Sequence, residues 1–474
     1  MLGVRIKLFV VNANFRKREY TMTHLFNIRP LAAACLLAIS LPVMAEEATK
    51  PAPVNLLEAI QQGKPMTNFR LRYEHVDQAA TALTNEAHAF TLRSLIGWQT
   101  APLHDVSVAM QLTDVHEFNH DFNDRRDNVS ESGKSTYPNI VDPGYTGINQ
   151  VYVDWTGVKN TKLRLGRQQV NLDNVRFIGD IGFRQNMQVF DGVSLLNKSL
   201  PNTEFFAAHF DKVRQVNTAR RSGNMDLINA KYRLTPSTNL IAYGYLVDVA
   251  DLSQNNGDAT VTSATAAQAG NGLGTSGDAS NKTLGLRLDG SAGISQDWKV
   301  LYTAEYAKQD DYRGGSSLID ADYYKLGVGV AYGAWSVRFD QEMLSSNGGR
   351  YAFQTPLGTN HLFQGWADVF LVTPRQGIKD TFVSVAGNIE KIKLYAEYHV
   401  IESDKPFAST SAGGLGDKYG HEFDASVSYP VHAKLNAKLE YAKFSESDVY
   451  GTTPGAAVTK GDKEIIWLTA LYTF

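Results

Sequence analysis

The sequence predicts a transmembrane antiparallel β-barrel of about 18 strands, of the kind found in the outer membranes of Gram-negative bacteria. Three observations lead to this fold class: an export signal near the N-terminus, long segments in which apolar and polar residues alternate, and connections that are alternately short and long. The chain is polar on average, which fits a barrel because its lipid-facing residues are diluted by lumen-facing ones.

The first element is an export signal at residues 22–45. Met22 opens a short basic stretch, the apolar run Leu31–Val43 follows, and Ala45 provides the small residue at which a secretory signal peptide is cleaved. The run is too short to cross a membrane as a helix. We therefore expect cleavage after Ala45, and residues 1–21 to be an extension upstream of the true start.

Cys35 offers an alternative, a lipoprotein signal in which this cysteine carries the lipid. The apolar run continues past Cys35, which favours the secretory signal. Cleavage leaves 429 of the 474 residues and no cysteine, so disulfides and cysteine metal sites are excluded. It also removes a net charge of +5 from the −3 of the whole chain, and the remaining −8 or so argues against a nucleic-acid partner.

The mature chain divides into a short periplasmic segment, residues 46–66, and a barrel, residues 67–474. Val54–Ile60 in the first segment has the composition of a short helical turn. In the barrel the strongest signal has a period of two residues, as in 106–113 and 324–332, where apolar residues occupy every second position. A helix would not sustain alternation over nine residues.

Eighteen segments carry this strand pattern. They are 67–77, 88–98, 106–115, 148–156, 161–169, 188–197, 203–210, 224–233, 239–250, 282–289, 297–307, 322–332, 334–344, 380–388, 391–402, 420–429, 434–444 and 463–474. Short connections alternate with long ones, which are 116–147, 170–187, 251–281, 345–379 and 445–462. Short turns face the periplasm and long loops face the exterior, and an even strand count places both ends in the periplasm.

Aromatic residues support this orientation. Trp98, Trp155, Trp298 and Trp335 all fall at the predicted periplasmic rim, where an aromatic girdle belongs. The last strand alternates up to Phe474, a pattern similar to the signal that the barrel-assembly machinery reads. The alternative is a soluble β-sandwich or β-helix, but a sandwich core is much smaller than this chain requires, and no fixed repeat is present.

Strand parity separates charges that face the lumen from those that would face lipid. The candidate basic pore-lining residues are Arg70, Arg72, Arg93, Arg164, Arg233, Arg287, Lys325 and Arg338. The inward acids include Glu397, Glu422, Asp424 and Glu440 near the end of the chain. Basic side chains in a pore favour anions, and the two groups together would create a transverse field. The alternative is that these side chains neutralise one another and stiffen the wall.

The third extracellular loop, Gln169–Met187, is unusually apolar for an exterior loop. Its charged residues are Asp173, Arg176, Asp180 and Arg184. The apolar content predicts that it folds into the barrel and places Arg176 and Arg184 at a constriction. The alternative is a loop packed over the mouth without a role in selection. Arg167 is a further candidate pore-lining residue, although its parity points towards lipid unless the upper strand end or a bulge turns it inward.

The polar loop 121–128 contains oxygen ligands suited to Ca²⁺, but their spacing matches no known calcium loop, so a solvated loop is the preferred interpretation. No cofactor or metal is predicted.

Several segments resemble the alginate-export-like family of outer-membrane proteins. They are Leu56–Lys64 (LLEAIQQGK), Asn68–Glu74 (NFRLRYE), Leu163–Gln168 (LRLGRQ), Val189–Val193 (VFDGV), His361–Pro374 (HLFQGWADVFLVTP) and Gly377–Asp380 (GIKD). The resemblance runs over nearly the whole mature chain and implies a monomeric barrel of 18 strands. The alginate exporter itself has a strongly basic pore for a polyuronate, whereas the inward charges of this chain are mixed.

These features predict a passive, partly selective channel for hydrophilic, anionic solutes such as carboxylates or oligo- and polyuronates. The alternatives are an outer-membrane enzyme, for which no catalytic motif is visible, and a general porin without selectivity. The expected partners are outer-membrane lipid and lipopolysaccharide, the barrel-assembly machinery through Phe474, and a small anionic solute or an acidic polysaccharide.

Overall fold

The computed structural model describes residues 51–80, 82–128, 130–252, 273, 277–409, 414–447 and 461–474. The predicted export signal, with Cys35 and the cleavage position after Ala45, lies outside the described residues. So does most of the predicted exterior loop 251–281.

A short helix precedes the barrel. It spans Leu56–Gln61, and the Asn55 side chain caps it by accepting a hydrogen bond of 2.9 Å from the backbone N–H of Glu58. The two-residue strand Lys64–Pro65 then pairs with residues 98 and 99 of a barrel strand. The indole N–H of Trp98 donates to the carbonyl of Ile60 over 2.8 Å, which attaches the helix to the periplasmic rim.

Eighteen antiparallel strands follow in chain order. They are β1 Asn68–Gln78, β2 Ala87–Gln99, β3 Val106–Glu117, β4 Tyr145–Trp155, β5 Thr161–Gln168, β6 Val189–Asn197, β7 Thr203–Arg214, β8 Arg220–Thr235, β9 Thr238–Asp248, β10 Asn281–Gly293, β11 Trp298–Asp311, β12 Asp320–Tyr332, β13 Trp335–Leu344, β14 Ile378–Ile389, β15 Ile392–Ser409, β16 Gly414–His432, β17 Leu435–Glu446 and β18 Lys463–Thr473.

Each strand pairs with its neighbours in the chain, and β18 pairs with β1 from Lys463 opposite Gln78 to Thr473 opposite Asn68. The ring is therefore closed, and the predicted fold class is confirmed. Closure leaves no unpaired strand edge, which a lipid environment requires. One hairpin is longer than predicted: β15 continues past residue 402 to Ser409, and β16 begins at Gly414. The register shifts at Glu402, so the extension does not continue the alternation that defined the predicted strands.

The outer face of the wall is apolar along every second residue. On β12 the side chains of Leu326, Val328 and Val330 are 55%, 56% and 43% exposed, and each alternates with a less exposed neighbour. The predicted girdle residues Trp98, Trp155, Trp298 and Trp335 are also exposed, at the periplasmic ends of their strands. No helix in the described part of the chain is long and apolar enough to cross a membrane.

The core of the molecule lies inside the ring and contains residues from two extracellular loops. Loop L3, residues 169–188, connects β5 to β6, and loop L7, residues 345–377, connects β13 to β14. Apolar residues of both loops are buried together with inward side chains of the wall, among them Ile178, Phe353 and Trp467. An 18-stranded ring is too wide for wall side chains alone to fill.

Placing a lysine at Leu326, midway along the outer face of β12, is expected to destabilise the barrel by about 2–4 kcal/mol, because the charge must enter hydrocarbon. The matched substitution Tyr332→Lys, at the periplasmic end of the same face, should cost only about 0–1 kcal/mol. Urea unfolding in lipid vesicles measures both free energies. Equal costs at the two depths would contradict the assignment of this face to lipid.

Candidate functional site

Loop L3 crosses the lumen from one side of the wall to the other. The Phe177 ring lies 5.2 Å from the ring of Tyr243 on β9 and 5.2 Å from that of Tyr323 on β12, between ring centroids. The Phe183 ring lies 5.6 Å from that of Trp467 on β18. Since β9 and β12 lie across the ring from β18, the loop bridges the barrel. Its apolar content therefore predicted an inward fold correctly.

Arg176 anchors the first half of L3. Its guanidinium Nε lies 2.7 Å from a carboxylate oxygen of Glu342 on β13, and both side chains are 1% exposed. Its Nη2 donates a 3.0 Å hydrogen bond to the side-chain carbonyl of Gln364 in L7. The guanidinium also lies 4.5 Å from the ring centre of Phe363. Arg176 thus joins L3, L7 and the wall.

Arg184 anchors the second half of L3 through three carboxylates from three segments of the chain. Its nitrogens lie 3.2 Å from Glu74 on β1, 3.8 Å from Asp142 in the second extracellular loop and 2.6 Å from Asp368 in L7. All four side chains are buried, at 7% exposure or less. The sequence predicted that Arg176 and Arg184 are located at a constriction. The structure shows both inside the constricting loop, enclosed and paired, with little surface left for a solute.

Loop L7 also folds into the lumen and packs against L3, which was not predicted from the sequence. The ring of His361 stacks on Phe183 at 3.4 Å between centroids. The backbone N–H of Gly179 donates to the carbonyl of Leu357 over 2.9 Å, and that of Thr359 donates to Val175 over 2.9 Å. Its composition could have indicated this inward fold, because residues 353–371 are as apolar as Gln169–Met187 in L3.

Two acids in these loops have shifted pKa values. Burial acts to raise the pKa of Asp368, but His361, 2.9 Å away, and Arg184 outweigh it and hold the pKa well below its usual range. Burial raises the pKa of Asp173, against a hydrogen bond of 2.6 Å from the Asn229 side chain. Asp368 is therefore held as an anion that clamps L3. Asp180 has a local role, since its carboxylate accepts from the backbone N–H of Gly182 over 3.0 Å.

Three arginines on β1 and β2 have no carboxylate within 4.0 Å among the described residues: Arg70, Arg72 and Arg93. Arg70 donates to the carbonyl of Gly182 over 2.7 Å, and Arg72 donates to that of Phe183 over 2.7 Å. Arg70 and Arg72 therefore hold the backbone of L3 against β1.

Arg93 differs from both of its neighbours. It is 4% exposed, and its Nη2 donates one hydrogen bond of 3.0 Å to Asn68. Its Nε and Nη1 are buried and make no hydrogen bond in the described structure. A guanidinium carries five donors, and buried donors without acceptors are costly. Within the described structure, Arg93 is therefore the arginine of this group with unused donors, and it is as buried as Arg176 and Arg184.

The other predicted pore residues are mostly neutralised by acids on the wall. Arg164 forms a bidentate pair with Asp154 at 2.6 and 2.8 Å. Arg287 lies 2.9 Å from both Asp289 and Glu305, and Arg338 lies 2.9 Å from Asp340. Lys325 instead lies over aromatic rings, 5.0 Å from the centre of Phe382. Arg233 is exposed at the periplasmic end of β8.

Arg167 follows the parity of Leu163 and Leu165, whose side chains face outward. It forms a bidentate pair with Asp191, the residue opposite it on β6, at 2.7 Å for both bonds. The sequence left open whether a bulge turns Arg167 inward. The ion pair explains how a charged side chain is tolerated at this outward position, because the Asp191 carboxylate neutralises the Arg167 guanidinium.

A cavity of about 360 Å³ lies between the first half of L3 and the inner face of β5–β8. Charged residues of both signs line it: Lys162, Arg164, Asp173, Glu204 and Lys231. This space offers room for a small hydrophilic solute next to the constricting loop.

Among the described residues of the loop 121–128, the acidic side chains form no group close enough to share a metal ion. There Asp124 lies 3.5 Å from Arg126 and accepts from its backbone N–H. Within the described ranges, the His, Asp and Glu side chains that are close enough to share an ion form two other groups. These are His75, Glu86 and His88 on the outer face, and Glu397, His399 and Asp424 in the lumen.

A family model described as "Alginate export" matches residues 66–461. The chain belongs to this alginate export family. No curated protein matches it. Among solved structures it is similar to OpdL of Pseudomonas aeruginosa, with a TM-score of 0.60 and 13% identity over 87% of this chain and 99% of the other.

Two further structures have the same fold. Pseudomonas aeruginosa OpdK with vanillate gives a TM-score of 0.59 and 13% identity, over 87% of this chain and 98% of that one. Acinetobacter baumannii OccAB4 gives a TM-score of 0.61 and 13% identity, over 87% of this chain and 97% of that one. Together with the closed ring of strands, these similarities establish an outer-membrane barrel of 18 strands.

In this member of the alginate export family, Arg184→Ala is expected to release L3, because three buried carboxylates lose their common cation. Breaking a buried pair costs about 3–5 kcal/mol. Limited proteolysis from the extracellular side should then cut L3 or L7, and single-channel conductance should rise.

The matched control is Arg164→Ala, which removes an equal charge from a pair between two wall strands and leaves both loops as they are. If Arg184→Ala stays as resistant to protease as the control, the clamp does not hold the loop.

Proposed function

We propose that this protein is a passive channel that admits small hydrophilic anions, with carboxylate-bearing solutes such as uronates as the preferred class. In this proposal the protein transports solutes and catalyses no reaction, and it is a monomer embedded in outer-membrane lipid. Contact with lipopolysaccharide, and assembly through Phe474, are parts of the proposal as well.

The observation that carries it is the group Arg70, Arg72 and Arg93, which places three guanidinium groups on adjacent strands without a carboxylate partner among the described residues. The wall arginines Arg164, Arg287 and Arg338 are, by contrast, each paired with an acid. Uncompensated charge attracts counter-ions into a pore, and guanidinium groups hold carboxylates through two parallel hydrogen bonds. The Nε and Nη1 of Arg93, on different edges of the guanidinium, make no hydrogen bond to a described residue, so each can donate one hydrogen bond to an anion.

Two further findings support an anionic solute. The family description names alginate, a polyuronate. OpdK, which shares the fold, was crystallised with vanillate, a small carboxylate. The lumen of this chain is narrowed by L3 and L7 and its accessible charges are mixed, so a short solute is a better fit than a continuously basic path for a polymer.

The test is single-channel recording in planar bilayers under a KCl gradient, with glucuronate added as a blocker. We expect a reversal potential that favours chloride, and interruption of the current by glucuronate. In Arg93→Gln, glucuronate block should weaken about tenfold or more, because a hydrogen bond to a charged group contributes about 1.5–3 kcal/mol.

Arg233→Gln is the matched control, since it removes the same charge from an exposed periplasmic position. It should leave the block nearly unchanged. Equal effects of the two substitutions, or a wild-type channel without preference for chloride, would instead support a general porin.

A further inference from the structure

Four carboxylates and one histidine form a buried cluster on the inner face of β14–β16, separate from the arginines of the proposed anion path. They are Asp380 on β14, Glu397 and His399 on β15, and Glu422 and Asp424 on β16, all at most 6% exposed. Within the described residues, no lysine or arginine lies within 4.0 Å of these four carboxylates. Buried carboxylates are costly unless they are neutralised, and His399 can supply at most one positive charge for four of them.

The histidine is oriented by one acid and directed at two others. Its Nδ1 lies 2.9 Å from Asp380, within hydrogen-bonding distance. Its Nε2 makes no hydrogen bond to a described residue and lies 3.4 Å from a Glu397 oxygen and 3.7 Å from an Asp424 oxygen. A carboxylate that orients one ring nitrogen, while the other points to further ligands, is the usual arrangement of a metal-binding histidine.

The geometry points to a divalent transition-metal site, and we propose that Glu397, His399 and Asp424 bind an ion such as Zn²⁺. Ligand atoms that bind one Zn²⁺ at roughly 2.0–2.2 Å in a tetrahedron are separated by about 3.4 Å from one another. The distances from the His399 Nε2 are 3.4 Å to Glu397 and 3.7 Å to Asp424, and all three ligand atoms lie within 4.8 Å of one another, so small side-chain shifts would complete the geometry. Three protein ligands leave the fourth position of a tetrahedral ion to water, and Glu422 on the same face of β16 lies outside this ligand group.

The ligand set also selects the class of metal. An imidazole nitrogen favours Zn²⁺ and its neighbours in the transition series, whereas Ca²⁺ and Mg²⁺ prefer oxygen ligands only and more of them. Asp380 would act as a positioning residue that keeps Nε2 free for the ion.

The ion would strengthen the attachment of L7 to the wall. The backbone N–H groups of Trp366 and Ala367 donate to Asp424 over 3.2 Å and to Glu422 over 2.5 Å. Gly365 has a φ of +86°, and a Cβ at this position would lie 2.2 Å from the carboxyl carbon of Glu422, so the backbone of L7 rests directly on the cluster. A cation that holds these carboxylates in place therefore also holds the loop.

The experiment uses barrel refolded in detergent with Zn²⁺ present, because L7 covers the site and slows the entry of metal afterwards. The protein carries no polyhistidine tag. It also carries His75→Ala and His88→Ala, which remove the second candidate group from the outer face. After gel filtration, elemental analysis should find one Zn²⁺ per barrel, and the Co²⁺-loaded protein should show the absorption of a tetrahedral nitrogen and oxygen site.

Three variants test the assignment of ligands. His399→Gln and Glu397→Gln should each lose the bound metal, while Asp380→Asn should weaken binding about 10- to 100-fold, since it changes only the orientation of the ligand. The heat-modifiable gel shift reports whether each variant is folded. Zn²⁺ should also slow proteolysis of L7 in the parent protein and not in His399→Gln.

Absence of metal from folded parent protein would overturn the proposal, and would mean that protons neutralise the cluster. Retention of one Zn²⁺ in both His399→Gln and Glu397→Gln would overturn it as well. Neither result bears on the anion selectivity tested with Arg93, which has its own measurement.

Discussion

The interior of this barrel depends on one buried guanidinium. Arg184 joins Glu74 of the wall, Asp142 of the second loop and Asp368 of L7, so three segments far apart in the chain share one positive charge. A buried ion pair contributes little net stability against an apolar substitute, but it is costly to break from one side. That asymmetry makes the arrangement specific: if L3 left the lumen, three carboxylates would remain without their cation. The width of an 18-stranded ring makes such a filling necessary.

Once the loops are fixed, the charges of the lumen separate into two kinds. Most arginines are committed to acids of the protein and serve structure, as Arg164 does with Asp154. Arg70 and Arg72 donate to carbonyls of L3, and among the described arginines Arg93 is the one with two buried nitrogens that make no hydrogen bond. The proposed selection of anions rests on the arginines without an acid partner and not on the total number of basic residues. The mixed charge of the lumen would not identify these arginines.

The acidic side of the lumen has the opposite imbalance. Between β14 and β16 the carboxylates outnumber the cations near them, and His399 points an unbonded nitrogen at two of them. A metal ion at this place would complete the attachment of L7, whose backbone N–H groups already bind the same acids. L7 would then be held in two ways, by the pair between Arg184 and Asp368 and by the ion at the wall.

The sequence by itself determined the wall. Alternation has a period of two residues, so parity fixes which side chains face lipid, and the strand order, the orientation and the closure follow from local pattern and loop length. The tertiary structure alone decided the interior. Arg176 meets Gln364 across 188 positions, and no periodicity relates residues so far apart. The composition of L3 predicted that it folds inward, but not which acids would pair with its arginines. L7 carried the same apolar signal, and only the packing of the two loops shows which cations remain free.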